Sequence, residues 1–402
     1  MRSFNYRKFL HRIITKATSV ITSSILPFCV IIFTMSEINT IDTKTLRTWL
    51  ESGKGVSILD IRPIQERTEW FVPGSIYFNA YDKLKAKDPD ALQGLHLDKT
   101  VPVVAICAGG KTSMIAATLL QTQGFEAYSL QGGMQGWSLA WNTAKISFSG
   151  FEVIQFRRTG KGCLSYIVAS NKEAIVVDAS LPIEAYQELI RNENLQLKYV
   201  IETHIHADHL SRSKELAESS NTTLHLPFPN KVDFHFEPIT DTTVFQVGNI
   251  RIKAIQTPGH TLESTSYLIA DKILLTGDTL FINGVGRPDL KANNAEAIQK
   301  SKLLYQSLQK LLALDENNIV MPAHTSQPVD FDNVPVQTTI SDIKKNVPML
   351  KLTEEEFIKT ILQRIPPTPA NYLSIIEKNI KGDFSDINPV DLEAGANRCA
   401  VY

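Results

Sequence analysis

Cysteine is scarce in this chain: its 402 residues include four, at positions 29, 107, 163 and 399. So few cysteines exclude a disulfide framework, and we expect at least one to be a thiol kept for chemistry. An excess of either charge is also missing, since 41 Lys and Arg stand against 42 Asp and Glu. The net charge of −1 gives no reason to expect nucleic acid or an anionic membrane surface as a partner. The apolar fraction of 43% excludes disordered and fibrous classes, and the length predicts two or three domains.

No acidic residue precedes Glu37. In this N-terminal segment, five basic residues are followed by an uncharged stretch over 17–34. Three interpretations of segment 1–34 stay open. It is an export signal or membrane anchor, although its many Ser and Thr are weak for a membrane span. It is an organelle-targeting segment, or it is not translated and Met35 is the true start. The last interpretation predicts a cytoplasmic protein.

Three regions follow this segment. Residues 36–144 alternate strands and helices, which predicts an α/β domain with a parallel sheet flanked by helices. Residues 148–325 begin with strands close together in sequence, as in a sandwich. Residues 326–402 form a C-terminal extension with a helix over 354–365 and a polar tail, which we expect to pack on the second domain. Thr353 and Glu356 form the capping box that predicts the start of this helix.

Five of the nine histidines lie in three short stretches and Asp278 lies in a fourth, and each of the four directly follows an apolar run. The candidate ligands in these stretches are His204, His206, Asp208, His209, His260, Asp278 and His324. Each therefore lies at the carboxyl end of a predicted strand, where residues distant in sequence converge. Imidazole and carboxylate are ligands that Zn²⁺ and non-haem Fe(II) accept, so the pattern predicts a metal site.

The same motifs resemble the metallo-β-lactamase superfamily over about residues 148–325. They are Thr203–His209, Thr257–Thr261, Gly277–Leu280 and Pro322–His324. The resemblance implies an αββα sandwich with the metal in its cleft.

Two branches of that superfamily imply different ligand sets. Similarity to glyoxalase II thioesterases implies two zinc ions, one held by His204, His206 and His260. The other is then held by Asp208, His209 and His324, with Asp278 bridging the two. Similarity to persulfide dioxygenases implies one Fe(II) per chain, held by His204, His260 and Asp278. The remaining members of the cluster then surround the ligands.

Three segments look like the dioxygenase branch: Gly284–Asp289, Pro369–Tyr372 and the tail 393–399. Within the first, we expect Arg287 to position the substrate or to orient groups around the metal by bidentate hydrogen bonds. The alternative is a surface salt bridge with Asp289. The sequence departs from that branch at Thr325-Ser326 and at Arg212, which bears on the substrate and not on the metal.

A glycine-rich loop at Cys107 joins a predicted buried strand to a helix. Its backbone N–H groups and the helix N-terminus favour an anion, so they stabilise a thiolate or a persulfide on Cys107. Lys111 and Ser113 add a charge and a hydrogen bond. The loop, together with Leu59–Pro63, Val72–Ser75 and Leu130–Trp137, resembles a rhodanese sulfurtransferase over about 36–144, with Cys107 carrying the persulfide. Thr112 and Phe71 depart from its usual Arg and His.

The two resemblances together imply sulfane-sulfur metabolism. The metal domain would oxidise a low-molecular-weight thiol persulfide with O₂ to sulfite and thiol, and Cys107 would transfer sulfane sulfur. The thiol is of the glutathione, coenzyme A or bacillithiol type. A zinc-dependent thioester hydrolase with an accessory rhodanese domain is the first alternative, and a non-catalytic sulfur sensor is the second. The sequence leaves a homodimer open.

Overall fold

The structure is a computed structural model that describes residues 39–227, 232–369, 371–393, Gly395 and 398–402. The segment 1–34, with Cys29 and the proposed start Met35, lies outside the described residues. Among the helices that are described, none is both long and apolar enough to cross a membrane.

The first domain contains five short strands and five helices. The strands are β1 (Thr40–Ile41), β2 (Ser57–Asp60), β3 (Ile76–Tyr77), β4 (Val103–Ile106) and β5 (Ala127–Leu130). The helices are α1 (Thr43–Glu51), α2 (Ile64–Glu69), α3 (Tyr81–Lys85), α4 (Lys111–Thr122) and α5 (Gly133–Trp137). The strands form one parallel sheet in the order β1-β5-β4-β2-β3. Because β4 is fully buried and runs into the loop before α4, this central strand places Cys107 at the carboxyl edge of the sheet.

The second domain is a sandwich of two mixed sheets. Its strands are β6 (Asn142–Phe148), β7 (Phe151–Arg158), β8 (Cys163–Ser170), β9 (Glu173–Val177), β10 (Gln196–Ile201), β11 (Thr223–Leu226), β12 (Glu237–Pro238), β13 (Val244–Val247), β14 (Ile250–Gln256), β15 (Thr265–Ile269), β16 (Ile273–Leu275), β17 (Val285–Gly286), β18 (Ile319–Met321) and β19 (Thr338–Thr339). Its helices are α6 (Ile183–Asn192), α7 (Ser213–Ser219) and α8 (Asn294–Leu312). One sheet has the order β12-β11-β10-β9-β8-β7-β6 and the other β13-β14-β15-β16-β18-β19.

Three apolar clusters hold these layers together. The central cluster lies between the two sheets and includes Val177, Tyr267 and Met321. A second cluster packs α6 and α7 on the outer face of the seven-stranded sheet. A third packs α8 on the outer face of the six-stranded sheet. The order of layers is therefore helix, sheet, sheet, helix, and the ends of strands from both sheets meet at one edge.

The C-terminal extension packs on the second domain. It contains α9 (Ile340–Asn346), a 3₁₀ turn (Pro348–Lys351), α10 (Glu354–Gln363), α11 (Tyr372–Lys381), α12 (Pro389–Glu393) and β20 (Ala400–Val401), which pairs with β17. Helix α10 opens on the predicted capping box of Thr353 and Glu356. It ends two residues before the predicted end at Ile365, because a residue that precedes proline disfavours the helical conformation.

Candidate metal centre and thiol loop

Four strand ends deliver the histidine-rich motifs to one place. The segment that follows β10 carries His204, His206, Asp208 and His209. His260 follows β14, Asp278 follows β16 and His324 follows β18. All seven side chains are at least 95% buried, so the structure brings together every candidate ligand that the sequence predicts.

Three of these side chains form a compact ligand set. Oδ2 of Asp278 lies 3.6 Å from Nε2 of His204 and 3.6 Å from Nε2 of His260. His204 Nε2 and Asp278 Oδ2 are buried and make no hydrogen bond among the described residues. On the other side of each ring, Nδ1 of His204 contacts the Thr203 hydroxyl at 2.9 Å and Nδ1 of His260 donates to the Arg287 carbonyl at 2.8 Å. The rings are therefore oriented from behind while their Nε2 atoms face one another, an arrangement that fits a metal ion.

The protonation states of this set suit a metal as well. Burial lowers the pKa of both His204 and His260, which keeps the rings neutral. Burial alone would raise the pKa of Asp278, but the charge of His324 outweighs it and lowers that pKa below the ordinary value. Two neutral imidazoles and one carboxylate are the donors that non-haem Fe(II) takes in a facial triad.

A second cluster adjoins the first and consists of Cys163, Asp208, His209 and His324. Their potential ligand atoms all lie within 4.8 Å of one another, and all four side chains are buried. The thiol of Cys163 donates to Asp208 at 3.2 Å. Burial and Asp208 would raise the pKa of Cys163, but His209 and His324 lower it to about 7. The sequence analysis did not single out Cys163, because one cysteine at the start of a strand is typical of a small core residue.

His324 connects the two clusters. Its Nδ1 lies 2.5 Å from Asp278 Oδ1 and its Nε2 lies 2.9 Å from Asp208 Oδ2. Burial would lower the pKa of His324, but the two carboxylates hold it well above the ordinary value. A doubly protonated ring in this position donates to both carboxylates at once.

Two buried acidic residues, Asp178 and Glu202, contact the residues of the His204–His209 loop and those next to it. Asp178 accepts from the backbone N–H of Thr203 at 2.7 Å and lies 3.2 Å from Nε2 of His206. Glu202 accepts from the Ser211 hydroxyl, and burial raises its pKa. Sequence reasoning missed both residues, although Asp178 follows the apolar strand β9 and the strand-end rule that found the histidines also applies to it.

Arg287 is fully buried, with its guanidinium bound to protein groups. It donates to both carboxylate oxygens of Asp289 at 2.8 Å, and to the carbonyls of Pro367 and Arg398. The predicted pair with Asp289 forms, with Arg287 buried and the Asp289 side chain 20% exposed. Because the carbonyl of Arg287 orients His260, these contacts fix the backbone behind a candidate ligand. A role in substrate positioning stays a prediction.

The Cys107 loop forms a separate site in the first domain. The backbone N–H groups of Gly110 and Ser113 point at Cys107 Sγ from 3.1 and 3.4 Å, and the Ser113 hydroxyl lies at 3.3 Å. Gly110 takes a φ of 85°, which glycine adopts without strain and which turns its N–H inward. Lys111 is exposed at the first residue of α4. The loop is built as an anion-binding nest around one sulfur atom.

Comparisons with known proteins agree with this architecture. Residues 42–140 match the rhodanese-like domain family, and residues 158–324 match the metallo-beta-lactamase superfamily. The chain is therefore a rhodanese-like domain followed by a metallo-beta-lactamase superfamily domain, and the predicted fold class is confirmed.

Relatives of two activities match to a similar extent. The mitochondrial persulfide dioxygenase of Bos taurus is 28% identical over 217 residues, which cover 52% of this chain and 80% of the relative. A probable zinc-dependent hydrolase of polyketide biosynthesis from Bacillus velezensis is 28% identical over 202 residues, which cover 48% and 84%. The solved structure of a metallo-beta-lactamase from Staphylococcus aureus has a TM-score of 0.52 at 24% identity, over 58% of this chain and 74% of that one. The chain thus has both oxidoreductase and hydrolase relatives in a metal-binding superfamily.

Proposed function

We propose that this protein oxidises a low-molecular-weight thiol persulfide with O₂ at a mononuclear iron site, and that it transfers sulfane sulfur through Cys107. The oxidation balances as one persulfide, one O₂ and one water giving one thiol, one sulfite and two protons. The observation that carries the proposal is a set of two histidines and one carboxylate in the same chain as a cysteine held in an anion nest.

In the metal domain, His204, His260 and Asp278 hold the metal. Bound iron would supply the redox chemistry for the reaction of the persulfide sulfur with O₂. His324 lies between the two carboxylates, with Nδ1 2.5 Å from Asp278 Oδ1 and Nε2 2.9 Å from Asp208 Oδ2, and it orients both.

In the rhodanese domain, the Cys107 thiolate attacks the outer sulfur of a persulfide. An S–S bond forms on Cys107, and the thiol of the carrier leaves with the proton. The N–H groups of Gly110 and Ser113 lie where they stabilise negative charge on the sulfur. Sulfite from the metal domain then takes the outer sulfur as thiosulfate and releases the Cys107 thiolate.

A zinc-dependent thioester hydrolase is the second candidate. The cluster of Cys163, Asp208, His209 and His324 favours it, because it offers a second set of buried donors beside the first. A dinuclear zinc site would use this cluster together with the first set.

Metal analysis with two activity assays separates the candidates. About one iron per chain, with O₂ uptake that depends on glutathione persulfide, supports the proposal. Two zinc ions and hydrolysis of a glutathione thioester without O₂ uptake support the hydrolase. Bound metal without turnover of either compound contradicts both and favours a sensor.

A further inference from the structure

We infer that Asn379 and Glu393, two residues of the C-terminal extension, position the His204–His209 loop for metal binding. The inference rests on the proposed metal site. Both residues lie beyond residues 158–324, which match the superfamily. Neither touches the candidate ligand atoms, so both act through the backbone of the loop.

Asn379 closes the loop with its side-chain amide. Its Nδ2 donates to the carbonyls of His206 and His209, each at 2.9 Å, and its Oδ1 accepts from the N–H of Ser211 at 2.9 Å. One planar group therefore binds three peptide groups within six residues. The segment between β10 and α7 has no strand or helix of its own. Its backbone groups thus depend on side chains for hydrogen bonds, and Asn379 supplies three of them.

Glu393 holds the next residue along. Its Oε1 accepts from the N–H of Leu210 at 2.7 Å, directly after His209. Its Oε2 accepts from Arg158 at 2.6 Å, and both side chains are 1% exposed. A buried carboxylate needs such a partner, because its charge loses the solvation that water would give it.

Arg158 ties this contact to two further parts of the molecule. Its guanidinium also donates to the carbonyl of Ser138 in the first domain at 2.8 Å and to that of Ser180 after β9 at 3.2 Å. Lys161, which is 3% exposed, donates to the Glu393 carbonyl at 2.7 Å. Glu393 is thus fixed by groups of the sandwich and in turn fixes the loop that carries His204.

The test compares metal affinity among purified full-length variants. Asn379→Ala removes all three contacts to the loop, whereas Asn379→Asp keeps the acceptor for Ser211 and loses both donors. Glu393→Gln keeps an oxygen for Leu210 and loses the charge that pairs with Arg158. We expect the Kd for Fe(II), measured anaerobically by competition with a chelator, to rise about tenfold or more in each variant. The absorption bands of the Co²⁺-substituted protein, which report ligand geometry, should shift as well.

Ile375→Ala is the matched control, because Ile375 is a buried apolar residue of the same helix as Asn379. It should lower the melting temperature and leave the Kd and the Co²⁺ bands unchanged. If the Asn379 and Glu393 variants also lose only melting temperature, the positioning role is wrong. If the unaltered protein binds neither metal, the proposed function is wrong, and the inference with it.

Discussion

Asp278 has two oxygen atoms that face different groups, and the candidate centre depends on both. Oδ2 faces the Nε2 atoms of His204 and His260, while Oδ1 is held by His324. Asp278→Ala removes a candidate ligand and leaves His324 without one of its two partners. We expect the metal content to fall at least about tenfold and O₂ uptake to fall with it. Elemental analysis checks this, with the exposed Asp271→Ala as the control. Full metal content in Asp278→Ala would exclude Asp278 as a ligand.

The Cys107 sulfur is a separate chemical centre from the metal. Cys107→Ser nearly keeps the size of the side chain, but a hydroxyl group cannot form a persulfide. We expect sulfur transfer from thiosulfate or glutathione persulfide to disappear, while persulfide-dependent O₂ uptake stays near that of the unaltered protein. Parallel assays of one preparation check both activities. An equal loss of the two would mean that oxidation requires sulfur delivered through Cys107.

The residues at the ends of strands are the part of the candidate site that the sequence predicts. An apolar run that ends in a metal-ligand residue is a local pattern, and it locates His204, His260, Asp278 and His324 without a three-dimensional structure. The same holds for the glycine-rich loop at Cys107. In both patterns the informative residues lie within a few positions of a strand end. They are metal-ligand types in the first pattern, and a cysteine with glycines in the second.

Residues that reach the site from afar have no such pattern. Cys163 meets His324 through an isolated bridge between segments 161 positions apart. Glu393 is the last residue of the short helix α12 near the end of the chain, and it meets the loop at Leu210, 183 positions away. Only the packing of the extension on the sandwich brings these pairs together, so one sequence read locally does not show them.

The contribution of Glu393 to the stability of the folded protein should depend on pH. Burial alone would raise the pKa of Glu393, but Arg158 outweighs it and lowers that pKa below its ordinary value of 4.5. A carboxyl with a lowered pKa in the folded state stabilises the fold above its unfolded pKa, and this contribution is lost as the pH falls through the folded pKa. In the metal-free protein, Glu393→Gln should lower the free energy of unfolding by about 3 kcal/mol at neutral pH. The difference from the unaltered protein should shrink as the pH falls below the ordinary pKa of 4.5.

Thermal melting between pH 7 and pH 3 measures this dependence. Glu377→Gln is the control, since Glu377 is an exposed partner of Lys381 on α11. Its effect on the melting temperature should be small at every pH. A deficit for Glu393→Gln that stays constant down to pH 3 would show that the Arg158 pair does not stabilise the folded protein.

At the scale of the whole molecule, the two domains share an interface that contains direct hydrogen bonds. The indole N–H of Trp70 donates to the Thr159 carbonyl at 2.9 Å. The backbone N–H of Gly160 donates to the Ala140 carbonyl at 3.1 Å. A cavity of about 170 Å³ lies beside these contacts. Its lining includes Arg62, Trp70, Ala108, Gln135, Gly160 and Gly395. Both domains and the tail therefore contribute to one chamber next to the Cys107 loop.

Gly160 lies against the backbone of Trp137 and Ser138, where the two domains meet. A Cβ atom there would lie 1.9 Å from the carbonyl oxygen of Trp137, so Gly160→Ala must displace backbone. On one side, Trp137 ends α5, whose residue Met134 donates to the Cys107 carbonyl at 2.9 Å. On the other side, Gly160 lies three residues before Cys163, which is part of the second cluster. We therefore expect Gly160→Ala to lower the melting temperature and to reduce sulfur transfer and O₂ uptake together.

Gly55→Ala is the control, because its Cβ would meet only the Val101 side chain, with the nearest atom at 3.1 Å. A Gly160→Ala protein that melts normally and retains both activities would show that the two sites do not share this packing.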